Sequence, residues 1–449
     1  FQYQMEKNLF SSIGEIKIID ANKNILSMPP IINSQLTGKI TGIKDIYYDN
    51  KWRTVLFAGM GRGGHGYFAL DITNPNTPLF LFAFQNDPVN KQVYHWDDLG
   101  NRTDMGYVIG IPAEYDYSKL GETWSTPTIM AMPYGNGRKW VAVFGAGYNG
   151  GVNTDYGSAV YVIDLEDKGK VLKKIDLTDV SNNIANAVPA TLTAITPDTT
   201  SNANYKGAMF YFADLEGKFW KLNLTNKGTL YEITQFFNAE ATQENDRMAF
   251  FQVTPSIGND GNLWMYYGTG NQQKLQRMSS SIKNRIYGFK DANFPKFKSV
   301  SSSTITSLKN NTSTGSICPA NADLGWYVDL DAHEKVTGKL ALSNETVFVS
   351  RYTPNNKNIC NPGDSKLTEH NFACGNKIRE TKLGQGIATG AVIHKDKIYV
   401  GISGSGSEDI KDEKGNVIGS RKDNIIVLTP KKGAKGIGSV SYESWREIF

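Results

Sequence analysis

The sequence repeats one pattern of short strands along most of its length, and this repetition limits the fold more than any other feature. Each copy opens with a short strand carrying Ser or Thr, often beside Pro. A hydrophobic strand, a Gly-rich or Asp-Gly turn and a second hydrophobic strand follow. Six opening strands are visible: SMPPII at Ser27, STPTIM at Ser125, VPATLTAI at Val188, VTPSIG at Val253, VTGKLAL at Val336 and IATGAVI at Ile387. A small antiparallel sheet cannot bury both faces alone, so such units must stack. The pattern predicts an all-β chain folded as a modified β-propeller.

Glycine-rich segments follow the first hydrophobic strand of several units. They are GMGRGGHG at Gly59, GAGYNGG at Gly145, GTGNQQ at Gly268 and GISGSG at Gly401. The first also fits a dinucleotide-binding fingerprint, but that fingerprint must open a helix. The segment Tyr67 to Ile72 is instead rich in aromatic and branched residues, which predicts a strand. We therefore expect these glycines to form tight connections between two inner strands.

Length and composition favour one large β domain. The chain has 449 residues, 40% of them hydrophobic, and the pattern persists from Ser27 to Leu428, so we predict a single domain over residues 1–449. A net charge of +4 is too small to indicate a nucleic-acid partner. Apolar runs stay short of the roughly 20 residues of a membrane helix, so no membrane span is expected in this chain.

Three long polar insertions interrupt the pattern, at residues 87–119, 272–284 and 294–324. They lack the periodicity of strands or helices, so we predict irregular loops. Because propellers vary most in such loops, the insertions are the candidates for contact surfaces.

The three cysteines predict a disulfide if the protein is exported. Cys360 and Cys374 bracket a polar loop and form the favoured pair, while Cys318 is either free or the alternative partner. Three unpaired thiols in a reducing compartment remain the other interpretation.

Residues for catalysis or metal binding do not converge in the sequence. The five histidines show no grouping, and each is expected to be a surface or turn residue, so we predict a non-enzymatic protein with no catalytic or cofactor-binding residues. One segment alternates oxygen-bearing side chains as a calcium loop does, namely Asp198, Thr200, Asn202 and Asn204. Only one of them is acidic, so Ca²⁺ binding there is expected to be weak or absent.

Several motifs together resemble the carboxy-terminal propeller of the type IV pilus tip-associated adhesins of the PilY or PilC type. They are WRTVLFAGMGRGGHGYFALDITNP, YFADLEGKFWKLNL, MYYGTGNQQ, RIYGFKD, GWYVDLD and the terminal SWREIF. The resemblance implies seven blades, of which six are clear in sequence; residues 10–19 pairing with residues 440–449 would supply the seventh. It also implies that a larger amino-terminal region precedes this chain in a longer protein.

The same resemblance implies a function at the pilus tip or outer cell surface, reached by export through the periplasm. The expected roles are pilus (fimbrium) biogenesis, cell adhesion and twitching motility, with minor pilins and a host or abiotic surface receptor as partners. The resemblance also implies an Asp-rich calcium loop, which members of this family commonly carry. In this chain the corresponding segment, which begins at Asp198, has only one acidic residue, so calcium control is not expected to carry over.

Two other functions use comparable quinoprotein-like repeats. A pyrroloquinoline quinone dehydrogenase is one, but such enzymes often carry adjacent cysteines, and this chain has none. A periplasmic scaffold for outer-membrane assembly is the other, and it accounts poorly for the long Ser/Thr-rich insertions.

Overall fold

A computed structural model describes residues 41–431, except 152, 154, 179, 182–183, 198–205, 314, 316, 356–361, 395–396, 405 and 413. These residues are almost entirely strands, turns and loops, with two short 3-10 helices at Ala113–Tyr115 and Ile305–Ser307. They divide into two compact units. The first unit ends at Leu215 and adds Trp220–Thr234 and Pro295–Ser299, and the second comprises Glu216–Phe219, Gln235–Phe294 and the described residues from Val300 onward.

The first sheet has six strands in chain order, each antiparallel to the next. They are β1 (Thr41–Tyr48), β2 (Lys51–Gly59), β3 (Gly66–Asp71), β4 (Leu79–Asp87), β5 (Gln92–Trp96) and β6 (Arg102–Gly106). All six residues of β3 are buried, as the aromatic and branched side chains of that strand require.

The second sheet is a four-stranded meander within the same unit. Its strands are β7 (Thr128–Tyr134), β8 (Gly137–Gly145), β9 (Ala159–Asp164) and β10 (Val171–Asp176), and a small hairpin of β11 (Val180–Ser181) and β12 (Ile184–Ala185) follows. Aromatic rings from the first two sheets form one core; the rings of Tyr67 and Phe144 lie 4.5 Å apart between centroids. Such aromatic pairs add specific contacts to the burial of apolar area.

The third sheet also has four strands in chain order. They are β13 (Thr193–Ile195), β14 (Met209–Ala213), β15 (Lys218–Asn223) and β16 (Ile233–Asn238).

Three five-stranded sheets lie later in the chain. The first has the order β17, β18, β19, β21, β20 and consists of β17 (Thr254–Ile257), β18 (Leu263–Gly268), β19 (Arg285–Asp291), β20 (Leu308–Asn310) and β21 (Gly325–Asp329). The second consists of β22 (Lys335–Val336), β23 (Ala341–Ser343), β24 (Thr346–Thr353), β25 (Asp364–Asn371) and β26 (Lys377–Gln385), with β22 and β23 both pairing with β24. The third has the order β27, β28, β31, β30, β29 and consists of β27 (Val392–His394), β28 (Lys397–Gly401), β29 (Ser407–Lys411), β30 (Val417–Lys422) and β31 (Ile425–Leu428).

The all-β prediction is confirmed, and the repeated pattern corresponds to real sheets. The described residues contain six sheets of four to six strands, and five of the six predicted opening segments supply the strands β7, β13, β17, β22 with β23, and β27. The opening segment at Ser27 and both chain ends proposed for a seventh blade lie outside the described residues. The single-domain assignment and the seven-blade count stay predictions.

Two expectations about connections were wrong. Only the first glycine segment makes a tight turn, six residues between β2 and β3; residues 146–158 separate β8 from β9, and the hairpin β29–β30 lies between β28 and β31. The insertion at residues 87–119 is not irregular, because it contains β5 and β6. Pairing with the neighbouring strand gives these segments regular structure that their polar composition does not indicate.

No helix among the residues described is long and apolar enough to cross a membrane.

Candidate functional site

The insertion at residues 87–119, named the first insertion here, forms a cleft in the first unit. Its hairpin β5–β6 extends the first sheet, and the 3-10 helix Ala113–Tyr115 follows β6. The cleft has a volume of about 400 Å³. Its lining residues are Lys91, Tyr107, Ile111, Asp116, Ser118, Lys119 and Asp155.

Asp116 is held in place as a charged group in this cleft. It accepts hydrogen bonds from the Ser118 backbone N–H (3.2 Å) and hydroxyl (2.5 Å), and the Lys174 ammonium contacts its second oxygen. Burial disfavours the carboxylate, but the hydrogen bonds from Lys174 and Ser118 outweigh burial and lower the pKa of Asp116. The residue is therefore an anion at neutral pH.

The two lysines of the cleft also have partners. Lys91 Nζ lies 3.7 Å from an Asp155 carboxylate oxygen and 5.7 Å from the centroid of the Tyr107 ring. Lys119 Nζ donates to the Thr178 hydroxyl at 2.9 Å. Lys91 and Asp155 are both more than half exposed, so their ion pair is weak and can be exchanged for contacts with a ligand or partner.

Tyr107 forms one wall of the cleft without acting as an acid. Its hydroxyl donates to the Asn86 side-chain oxygen and lies 3.3 Å from the Ser118 carbonyl oxygen. Burial raises the pKa of Tyr107 to about 12, so the phenol stays neutral at physiological pH. The charges and donors of this cleft suit the binding of a polar surface.

Three exposed apolar side chains lie close along the chain to residues that line this cleft. Val89, Val108 and Ile109 are 87%, 97% and 93% exposed, the highest values among the large apolar side chains that the structure describes. Each lies within two residues of a cleft-lining residue along the chain. Three such strongly exposed apolar side chains within one insertion favour an interaction site. The first insertion is therefore the candidate contact surface, as the sequence analysis allowed.

The predicted calcium-loop residues Asp198, Thr200, Asn202 and Asn204 lie outside the described residues. Among the residues that are described, no group of three or more His, Cys, Asp or Glu side chains could hold a metal ion.

The favoured disulfide pairing was wrong. Cys374 is bonded to Cys318, with their Cα atoms 4.5 Å apart, and Cys360 lies outside the described residues. The physical reason is the path of residues 294–324. β20 pairs with β21, and Asn311 next to it donates its side-chain amide to the Cys374 carbonyl oxygen, so this segment runs beside the turn that contains Cys374. The sequence distance of 56 residues gave no sign of that proximity.

The histidines do not form a catalytic group, but two of them are not surface residues as expected. His370 is fully buried and His95 is 4% exposed. His95 Nε2 bonds to the Lys168 carbonyl oxygen in the first unit, and His370 bonds to strand residues and a turn in the second. Their roles are structural.

Comparison with known proteins shows which proteins this chain is similar to. Residues 37–233 match the family described as the PilY1 beta-propeller domain. The chain is 27% identical over 371 residues to a type IV pilus biogenesis factor PilY1 homolog of Xylella fastidiosa, covering 73% of this chain and 22% of that protein. It is 30% identical over 183 residues to type IV pilus biogenesis factor PilY1 of Pseudomonas aeruginosa, covering 40% of this chain and 12% of that protein.

A solved structure shares the fold. The crystal structure of the Pseudomonas aeruginosa PilY1 C-terminal domain superposes with a TM-score of 0.56 at 16% identity, covering 92% of this chain and 90% of that one. Residues 37–233 therefore match the PilY1 β-propeller domain family in sequence, and the chain shares the fold of the PilY1 C-terminal domain.

Proposed function

We propose that this chain is the β-propeller part of a type IV pilus biogenesis factor and that it acts by contact with other proteins rather than by catalysis. The match of residues 37–233 to the PilY1 beta-propeller domain carries the proposal. The two matched relatives are named as type IV pilus biogenesis factors. Because the chain spans only 12% to 22% of the length of these two relatives, their activity as whole proteins comes to it as a proposal.

The first insertion is the part of the chain through which we propose that it acts. It presents Val108 and Ile109 almost fully to solvent beside a cleft whose ion pair Lys91–Asp155 is half exposed. Apolar side chains surrounded by exchangeable charges are the composition of a protein contact site. Minor pilins or another component of the pilus machinery would bind there, and a surface receptor is the second class of partner.

The location follows from the same argument. A pilus factor of this kind acts at the cell surface after export, and the disulfide Cys318–Cys374 is compatible with an oxidising compartment. More specifically, the proposal includes display at the pilus tip and roles in adhesion and twitching motility.

The test is deletion and complementation in the bacterium that encodes the chain. Loss of the encoding region should reduce surface pili, twitching and adhesion, and the wild-type region should restore them. Unchanged pili, twitching and adhesion in the deletion strain would refute the proposal.

A matched pair of variants then locates the surface. The double variant Val108→Ser with Ile109→Ser should fold normally, since both side chains are exposed, yet restore function poorly. The control is Val417→Ser, at a position that is 59% exposed on β30. Equal complementation by both would place the contact outside the first insertion.

A further inference from the structure

Strand β6 is the outer strand of the first sheet in the described part of the chain, and its outer edge is open there. It pairs with β5 on one side, and no other described strand pairs with it on the other. Arg102, Thr103 and Asp104 are exposed. A sheet edge of this kind offers unpaired backbone groups to a further strand.

The register of the hairpin shows which backbone groups are free. Asp97 N–H donates to the Asn101 carbonyl oxygen (3.1 Å), and Tyr107 N–H donates to the Lys91 carbonyl oxygen (3.0 Å). In an antiparallel pair, hydrogen-bonded and non-hydrogen-bonded positions alternate, and the β5–β6 register has no bulge.

It follows from this alternation that Thr103 and Met105 bond to β5, while the N–H and C=O groups of Arg102, Asp104 and Gly106 point away from it. Among the described residues, no protein group bonds to these outward backbone groups.

The two faces of β6 differ in chemistry. Met105 is 9% exposed and packs in the aromatic core beside Val93 of β5. On the opposite face Arg102 and Asp104 form an ion pair of 2.7 Å, in which both side chains are about half exposed. A strand added to this edge would place apolar side chains next to Met105 and charged side chains next to Arg102 and Asp104.

The charges at the edge specify the partner's residues. The Arg102–Asp104 pair is exposed, so it contributes little and can be replaced by pairs across the new ladder. Opposite charges directly across two strands are favourable, and like charges are unfavourable. Complementarity requires an acidic residue opposite Arg102 and a basic residue opposite Asp104.

We propose that β6 binds an extended segment of a partner polypeptide as an added antiparallel β-strand. That segment carries, from its amino end, a residue opposite Gly106, a basic residue opposite Asp104 and an acidic residue opposite Arg102, with apolar residues between them. Backbone hydrogen bonds supply the affinity and the alternating side chains supply the specificity. This inference rests on the geometry of the edge and does not depend on the pilus assignment.

Two peptides of identical composition test the register of charges. The probe ITVKIEV places Lys opposite Asp104 and Glu opposite Arg102, and the control ITVEIKV exchanges them; both carry the same amino-terminal fluorophore. Fluorescence anisotropy with the whole chain should show that the probe binds about fivefold more tightly than the control, the effect expected for two exchanged cross-strand pairs.

Variants of the edge test the backbone contact. Asp104→Pro removes an N–H that points away from β5, so the variant should fold and unfold as the wild type does and should lose peptide binding. Asp104→Asn keeps the N–H and should bind both peptides with less discrimination. If Asp104→Pro does not fold, Gly106→Pro removes a second outward N–H and serves in its place.

Several outcomes would overturn the proposal. One is equal binding of both peptides by the wild type, and another is undiminished binding by a folded proline variant. Sedimentation could also show a dimer that the proline substitution dissociates, without peptide binding; the occupant of the edge would then be a second copy of this chain.

Discussion

At the scale of single residues, His370 shows most clearly what the fold imposes on a side chain. It is fully buried on β25, where its Nδ1 lies 2.8 Å from the Gly375 carbonyl oxygen and its Nε2 lies 3.0 Å from Arg351 Nη2. Because a guanidinium only donates, Nε2 must accept and Nδ1–H must donate. Burial, reinforced by the neighbouring Arg351 charge, lowers the pKa of His370 to about 3.

This histidine should make stability depend on pH. The unfolded chain takes up a proton at an ordinary histidine pKa of 6.5, whereas the folded chain stays neutral until about pH 3. The stabilisation is therefore present above pH 6.5 and is lost as pH falls towards 3, at roughly 1 kcal/mol per pH unit. In urea unfolding between pH 4 and pH 6, His370→Gln should remove that part of the slope, while His394→Gln, at an exposed position, should not. Equal slopes for all three proteins would contradict this.

The sequence does not indicate the burial of His370, and the reason is physical. The strand DSKLTEHN is polar except for Leu367 and lacks the apolar alternation that marks a half-buried strand. The buried carboxylate of Glu369 on this strand is paired with Arg379. The buried guanidinium of Arg351 on β24 is paired with Glu334. Such partners come from other strands, so only the tertiary structure reveals them.

At the scale of elements, the sequence predicts the positions of the strands better than it predicts the connections between them. The opening segments and inner strands follow from branched and aromatic residues, which is why β7, β8 and β9 lie where the pattern indicated. The segment QVYHW of β5 also has strand character and could have been recognised within the first insertion. By contrast, the residues RTDMG of β6 form a strand only because β5 lies beside them.

The sequence left the pairing of the disulfide open, and the contribution of the disulfide to stability can be measured. Cys318 and Cys374 are 56 residues apart in the sequence. On the chain-entropy model, a disulfide that closes a loop of this length stabilises the folded state by about 4 kcal/mol. Cys318→Ser should lower the free energy of unfolding by that order, and Cys360→Ser should leave it nearly unchanged. A non-reducing peptide map gives the direct readout. A cross-link from Cys360 to Cys374, or a large loss of stability in Cys360→Ser, would restore the pairing first expected.

At the scale of the whole molecule, repetition predicted the architecture, and the comparisons supplied the likeness to PilY1 β-propeller domains. Six repeats in sequence correspond to six sheets of four or more strands in the described residues, because each unit has to stack on others to bury its faces. The contact surface was not predictable to the residue, since the exposure of Val108 and Ile109 depends on how the first insertion turns after β6. The calcium loop and the chain ends lie outside the described residues, so the predictions about them rest on sequence alone.

The last prediction concerns calcium binding by the segment that contains Asp198, Thr200, Asn202 and Asn204. A ligand that binds only the folded state stabilises the whole molecule, by about 4 kcal/mol at a concentration 1,000 times its Kd. With one acidic residue among Asp198, Thr200, Asn202 and Asn204, the loop supplies too little charge for a micromolar site. We expect the midpoint of thermal unfolding of chelator-stripped protein to stay unchanged in 1 mM calcium, and titration calorimetry to show no heat. A clear rise in the midpoint that Asp198→Ala abolishes would contradict this prediction and would mean that backbone or distant oxygens complete the coordination shell.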